Sequence, residues 1–182
     1  MDVYGKATEL LNELTVRLES TRAGQVEFAA VHPGNDVPAY GCETAFVRPG
    51  QIWPSVAFPA PLNPAQLDLS QPVSYAADLE IVVFRCYGYT DDNSMPELAD
   101  LDSLARDALD DARAMMRAVQ CAFGFGTQYF CGPWIPRGPS GGIHGGSMTV
   151  TVGVDLWCPC DADVPQFDSL FAPLEGDPRV DN

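Results

Sequence analysis

Positive charge is scarce in this sequence. Its 182 residues include 10 Lys and Arg against 25 Asp and Glu, and the formal net charge is −15 at pH 7. An acidic surface repels phosphate backbones, so this balance disfavours ordinary nucleic-acid binding through a basic face. Histidine is scarcer still, with 2 residues. Because nucleophilic catalysis usually needs an imidazole beside the nucleophile, little material is present for it, and we predict no catalytic residues.

Long apolar runs are also lacking. None approaches the about 20 residues that a membrane-spanning helix needs. The first residues, MDVYGKATELLNEL, contain early acids and no apolar stretch of the secretory type. We therefore expect no membrane association and a protein that is made and kept in a cytosol. A composition of 46% hydrophobic and 19% charged residues is typical of a folded globular chain.

Cysteine is present, but without the spacing of a metal site. Zinc sites usually combine two close pairs of Cys or His, whereas only Cys158 and Cys160 lie close together among the 6 cysteines. Disulfides are rare in a cytosol. We therefore expect free, mostly inert thiols, no metal and no cofactor.

Two segments have the apolar spacing of amphipathic helices. The first runs from about Val3 to Ser20, and its apolar stripe consists of Val3, Ala7, Leu10, Leu11, Leu14 and Leu18. The second opens at Met95-Pro96-Glu97 with Ser94 or Met95 as the cap, and it ends before Gly124. Its stripe consists of Leu101, Ala105, Ala108, Ala112, Met116, Val119 and Phe123, widened by Leu109. Its aspartates, Asp111 among them, are predicted to face solvent.

Four segments have the composition of β-strands: QVEFAAV, AYGCETAFV, LEIVVFRCY and SMTVTVGVDLW. The third is predicted to be central, and the fourth places Met148, Val150, Val152 and Val154 on one face. Between Pro49 and Pro72 the chain holds six prolines, which predicts a long surface loop.

The order of these segments predicts an α+β fold, with a mainly antiparallel sheet of four to five strands and two amphipathic helices packed on one face. Because the second helix connects two strong strands, a crossover with local parallel pairing is possible. We expect a single domain over residues 1–158, with the Pro-rich loop at 49–72, and an acidic extended tail over residues 159–182.

A Gly- and Pro-rich stretch, GPWIPRGPSGGIHGG, surrounds Trp134. It does not fit a phosphate cradle, because it precedes a strand and no lysine follows its glycines. His144 lies inside it without an acidic motif nearby, so we expect a solvated loop histidine. We predict an ordered loop whose Trp134 packs either on its own core or on another subunit.

The sequence from about Leu79 to Asp155 resembles the tail terminators and related neck proteins of long-tailed actinobacterial bacteriophages. The resemblance rests on the order of elements and on a pattern G-x-W-x-P-x-G-P-x-G-G…G-G-x-x-T-V-x-V. The matching residues are Gly132, Trp134, Pro136, Gly138, Pro139, Gly141, Gly142, Gly145, Gly146, Thr149, Val150 and Val152.

This resemblance implies a non-enzymatic structural protein of the virion neck or tail, assembled in the host cytoplasm. Its implied partners are further copies of itself in a hexameric ring, the tail tube protein and the head–tail connector or stopper protein. DNA is expected to pass through the lumen without sequence-specific binding. The residues predicted at interfaces come from the Pro-rich loop and the Gly/Pro-rich stretch: Trp53, Phe58, Trp134, Pro136, Gly141 and Gly142.

Two alternatives remain open. A head–tail connector or stopper of the virion neck would have a similar ring geometry. A small cytosolic hydrolase would instead use His144 with one of the cysteines, and it would require a thiol of lowered pKa beside the imidazole.

Overall fold

The computed structural model describes residues 2–34, 41–63, 65, 74–88, 96–140 and 142–155. In this part of the chain the helices are α1 (Val3–Leu18) and α2 (Leu98–Phe123). The strands are β1 (Phe28–Val31), β2 (Thr44–Ser55), β3 (Ser74–Cys86), β4 (Tyr129–Ser140) and β5 (Ile143–Val154).

The strands form one sheet in the order β1-β2-β3-β5-β4. Among the described strands, β1 and β2 alone pair in parallel, whereas β2 with β3, β3 with β5, and β5 with β4 are antiparallel. The predicted α+β fold with a mainly antiparallel sheet is therefore confirmed, and the apolar β3 is its central strand. The connection through α2 makes β4 parallel to β3, but the two do not pair because β5 lies between them.

Both helices pack on one face of the sheet, as predicted, and together they enclose the core. In α1 the whole predicted stripe is buried. The side chain of Asp2 caps this helix by accepting a hydrogen bond of 2.7 Å from the Gly5 N–H. The strands contribute every second residue to the same core: Ala45, Val47, Ala77, Leu79, Ile81, Val83, Met148, Val150, Val152 and Val154.

The predicted stripe of α2 is correct at Ala112, Val119 and Phe123, which are buried, but wrong at Ala105, Leu109 and Met116, which are exposed. Met116 and Leu109 are exposed, while the buried residues are Asp111, Ala112, Ala114, Met115, Ala118, Val119, Ala122 and Phe123. The prediction was anchored on Leu101 and Ala105 in the first half of the helix, whereas the core contacts come from the second half. The N-cap is Glu97, without a side-chain capping bond, and the predicted caps Ser94 and Met95 lie outside the described residues.

The two segments predicted as loops are in part strands. Residues 49–55 belong to β2, where the register shifts between Pro49 and Ile52. The first part of the Gly/Pro-rich stretch, as far as Ser140, belongs to β4, and its last residues from Ile143 onward belong to β5. The pairing of β4 with β5 has register shifts between Cys131 and Trp134 and between Arg137 and Ser140. Proline is tolerated there because β4 is an edge strand and the bulges absorb the missing ladder donors.

Cys42 and Cys86 form a disulfide, with Cα atoms 4.6 Å apart, so the prediction of free thiols is wrong for this pair. The two residues lie next to the start of β2 and at the end of β3, which the antiparallel pairing brings together. Cys121 and Cys131 are free, and Cys158 and Cys160 lie outside the described residues.

Candidate functional site

The face of the sheet opposite the helices, here called the outer face, combines polar and apolar side chains. Its position follows from strand alternation, because residues next to the core-facing ones point to the other side. The strand register places these residues on it: Arg48, Trp53, Asp78, Glu80, Phe130, Ile135, Arg137, Ser147, Thr149 and Thr151.

Glu80 joins three strands on the outer face. Its Oε2 accepts a hydrogen bond from Arg48 Nε of β2, and its Oε1 accepts one of 2.8 Å from Arg137 Nη2 of β4. Arg137 Nε also donates to Ser147 Oγ at 3.0 Å. The Glu80 side chain is only 12% exposed, so these ion pairs are less screened by water than ordinary surface pairs. The network holds the edge strand β4 against the rest of the sheet.

Two depressions lie beside this network. One has a volume of about 540 Å³ and is lined by Arg48, Asp78, Glu80 and Thr149. The other, of about 330 Å³, is lined by Phe84, Arg137, Gly138, Ser140 and Ile143. Glu80 lines the first depression and Arg137 lines the second, so their ion pair lies between the two depressions on the outer face.

Exposed apolar side chains accompany the charges on β4. Phe130 is 57% exposed and Ile135 is 55% exposed. Apolar anchors next to partly buried charges and open depressions are the usual anatomy of a protein–protein interface. The outer face therefore has the composition of a surface that binds another folded surface.

Trp134 lies on the other side of β4 and packs against the protein's own core. Its indole covers Gly146, where an added methyl group would overlap the ring. Of the two predicted arrangements for Trp134, the structure has the intramolecular one. The indole Nε1 is buried without a hydrogen-bond partner.

The other predicted interface residues do not form one patch. Pro136 is exposed on β4, and Gly142 lies in the β4–β5 turn with a φ of 82°, a conformation that favours glycine. Gly141 lies outside the described residues. Trp53 and Phe58 are elsewhere, on and after β2, with β3 and β5 between them and β4.

Trp53 and Phe58 are held by their own segment. Trp53 Nε1 donates to the Pro59 carbonyl at 3.0 Å. Phe58 is half-buried and lines a pocket of about 530 Å³ together with Lys6 and Tyr75. The structure thus separates the predicted interface residues into a β4–β5 group and a β2 group.

A buried ionic network lies on the helix-covered side of the sheet, near the C-terminal end of β3. Arg85 is 2% exposed, and its Nε and Nη2 donate to the two carboxylate oxygens of Asp111, each at 2.8 Å. Its Nη1 donates to Glu43 Oε2 at 2.7 Å. Burial by itself lowers the pKa of Arg85, but the hydrogen bonds to Asp111 and Glu43 outweigh it and raise this pKa. The prediction that Asp111 faces solvent is therefore wrong.

His144 belongs to the same end, since it pairs with Arg85 in the strand register and is 8% exposed. The prediction of a solvated loop histidine is wrong, because β5 already begins at Ile143. Burial lowers the pKa of His144. Cys86, next to Arg85 on β3, is bonded to Cys42 and so offers His144 no thiolate, although the hydrolase alternative requires one.

Sequence reasoning overlooked Arg48, Glu80 and Arg137, and it overlooked the pairing of Arg85 with Asp111. One signal was present: Arg85 interrupts the apolar run LEIVVF of a central strand, where an unpaired charge would be too costly. No comparable signal marks the outer-face ion pairs, because their partners are far apart in the chain.

No family model and no curated protein matches this chain. Among the described residues, no group of three or more His, Cys, Asp or Glu side chains could hold a metal ion. In the same part of the chain, neither helix is both long and apolar enough to cross a membrane.

Proposed function

We propose that this protein is a virion assembly protein, a tail terminator whose copies form a ring that caps the tail tube and joins it to the head–tail connector or stopper protein. The proposal starts from the Gly-Trp-Pro pattern of the sequence and its resemblance to phage neck proteins. It draws further support from a surface suited to binding another folded protein.

The observation that carries the proposal is the combination on β4 of exposed Phe130 and Ile135 with the Glu80–Arg137 ion pair. Burial of large exposed apolar side chains lowers the free energy, and here that burial requires a partner that covers them. In a closed ring of identical copies each contact joins two different surfaces, so this surface would supply one half of every contact and meet another surface of the neighbouring subunit.

The charge of the chain agrees with passage of DNA through such a ring. A net charge of −15 repels the duplex, so DNA slides past an acidic lumen without sequence-specific binding. The tail tube protein and the connector or stopper then meet the two ends of the ring.

The test is replacement of Ile135 by Asp, followed by sedimentation velocity of the purified protein. Because Ile135 is exposed, Ile135→Asp leaves the subunit folded but places a charge in the contact, so the ring dissociates into subunits. A matched control is Leu109→Asp on α2, which alters a similarly exposed apolar residue, 63% exposed, on the helical side. The control variant is expected to keep the parental sedimentation coefficient.

Two results would count against the proposal. One is a parental protein that sediments as a monomer at every concentration tested. The other is an equal effect of both substitutions, which would show that added negative charge, rather than position on the outer face, governs assembly.

A further inference from the structure

The helical layer contains a pocket that the proposed assembly function does not use. It has a volume of about 180 Å³ and lies between the end of α1 and the middle of α2. We call it the arginine pocket, because three of its lining residues are arginines. The polar lining residues are Arg17, Ser20, Thr21, Asp110, Arg113 and Arg117.

Arg113 and Arg117 differ from the other cationic side chains of the described residues. Every other Lys or Arg in that part of the chain pairs with a carboxylate, whereas these two form no ion pair. They are also one helical turn apart, and like charges at this spacing destabilise a helix. Earlier in α2 the same spacing carries opposite charges, with Arg106 Nη2 at 2.6 Å from Asp102 Oδ2.

The helix dipole does not account for these two arginines. Its favourable effect on cations is confined to the last turn of a helix, and the last turn of α2 contains no basic residue. The positive charges of Arg113 and Arg117 therefore lie before the last turn, where the helix dipole does not stabilise them.

Arg17 supplies a third donor from the facing helix. Its Nη2 donates to Glu13 Oε2 at 3.0 Å, but its Nε is buried and has no hydrogen-bond partner among the described residues. Among the described lining residues, Asp110 is the one carboxylate, and it already accepts a hydrogen bond of 3.0 Å from the Arg22 backbone N–H. Unused guanidinium donors therefore outnumber the acceptors at this place.

We propose that the arginine pocket binds a phosphate group. A phosphate carries up to two negative charges and three or four acceptor oxygens, which match several guanidinium forks better than the two oxygens of a carboxylate do. The ligand would place its charge between Arg113 and Arg117 and remove their mutual repulsion. Either a free phosphate or the phosphate of a nucleic-acid backbone offers this chemistry.

The experiment is a calorimetric titration of the purified full chain with inorganic phosphate at low ionic strength. The parental protein is expected to bind phosphate saturably, and Arg113→Ala or Arg117→Ala to weaken binding about tenfold or more, since each removes a charge-assisted hydrogen-bond donor. Arg106→Ala is the matched control, because it removes the same charge from the same helix outside the pocket. All three variants keep the parental melting temperature in the absence of phosphate, since these side chains are exposed.

A competition arm identifies the source of the phosphate. Short duplex DNA that displaces inorganic phosphate in an Arg113-dependent manner identifies a nucleic-acid backbone as ligand, and failure to displace it identifies free phosphate; both support the pocket. The proposal is overturned if the parental protein shows no saturable phosphate binding, or if Arg106→Ala weakens binding as much as Arg113→Ala does.

Discussion

Arg85 connects four segments of the chain from a position that is almost completely buried. Its guanidinium bonds to Asp111 of α2, to Glu43 before β2 and, through Nη2, to the Gly24 carbonyl at 2.9 Å. Thr21 lies at the edge of the same group, with its Oγ1 at 3.5 Å from Nη2. A buried charge is tolerated only when its donors are satisfied in this way. The paired side chain of Arg85 thus holds α2, the segment before β2 and the Gly24 backbone against the end of β3.

Removal of the main partner of Arg85 is predicted to be costly. Asp111→Ala leaves a buried guanidinium without its bidentate carboxylate and should lower the free energy of unfolding by about 3–5 kcal/mol. Asp102→Ala, on the same helix but in an exposed pair with Arg106, should cost less than about 1 kcal/mol. Urea denaturation of both variants measures the difference, and similar losses would contradict the structural role of Asp111.

Acid is predicted to destabilise the protein in part through His144. Because burial lowers the folded-state pKa below the ordinary value of about 6.5, the unfolded chain binds a proton more readily than the folded one. The stability that neutral His144 contributes is therefore present above about pH 6.5 and is lost as the pH falls through the folded-state pKa. The charged groups that also act on His144 are Asp111, Asp107, Glu43 and Arg85.

This contribution can be isolated with the variant His144→Gln. The fall in melting temperature between about pH 7.5 and about pH 5.5 should be smaller in the variant than in the parent, because Gln has no proton to gain. An identical fall in both proteins would show that carboxylates alone set the acid response.

Individual buried charges were the hardest part of the structure to predict. Asp111 lies on the same helix as the exposed Asp100 and Asp102 and the partly exposed Asp107 and Asp110, and its distant partner Arg85 distinguishes it from them. His144 sits among glycines, which are typical of loops, and its burial depends on α2 and β3. In both cases the deciding contact is made by a residue far away in sequence.

Among the elements, β4 carries both the core-packed Trp134 and the ion-paired Arg137. It directs Trp134 toward the core and Arg137 toward the outer face, as expected of a strand with alternating sides. Its prolines limit pairing at its free edge and so protect an edge strand from uncontrolled association. The Gly/Pro-rich stretch therefore contributes one contact to each face of the sheet, Trp134 on the core side and Arg137 on the outer face.

The anchoring role of Trp134 leads to a measurable expectation. Trp134→Ala removes a large, half-buried aromatic from over Gly146 and should destabilise the subunit by about 3 kcal/mol, the lower end of the range for buried aromatics. Phe125→Ala, at a fully exposed aromatic in the turn after α2, is the control and should have almost no effect. A parental melting temperature for Trp134→Ala would show that the indole contributes no packing.

Periodic elements were predictable, whereas aperiodic ones were not. The stripe of α1 and the face of Met148, Val150 and Val152 on β5 were predicted correctly because burial there repeats with the period of the element. No period identifies β4, since glycine and proline conceal the alternation. The outer face was missed in part for the same reason, because Phe130, Ile135 and Arg137 of that face lie on β4.

In the whole molecule, the two sides of the sheet differ in how far other elements cover them. One side is closed by α1 and α2 over the core, with the arginine pocket between the helices. The other presents exposed Phe130 and Ile135 around the ionic network of Glu80. We propose that the second side supplies one half of the contact in a ring, where each contact joins two different surfaces of identical copies.

Assembly into rings is tested by negative-stain electron microscopy of the purified protein, with Ile135→Asp imaged in parallel. We expect closed rings of uniform size for the parental protein and single subunits for the variant, both with the parental circular dichroism spectrum. Parental protein that appears only as compact single particles, at concentrations where sedimentation also reports monomers, would contradict it.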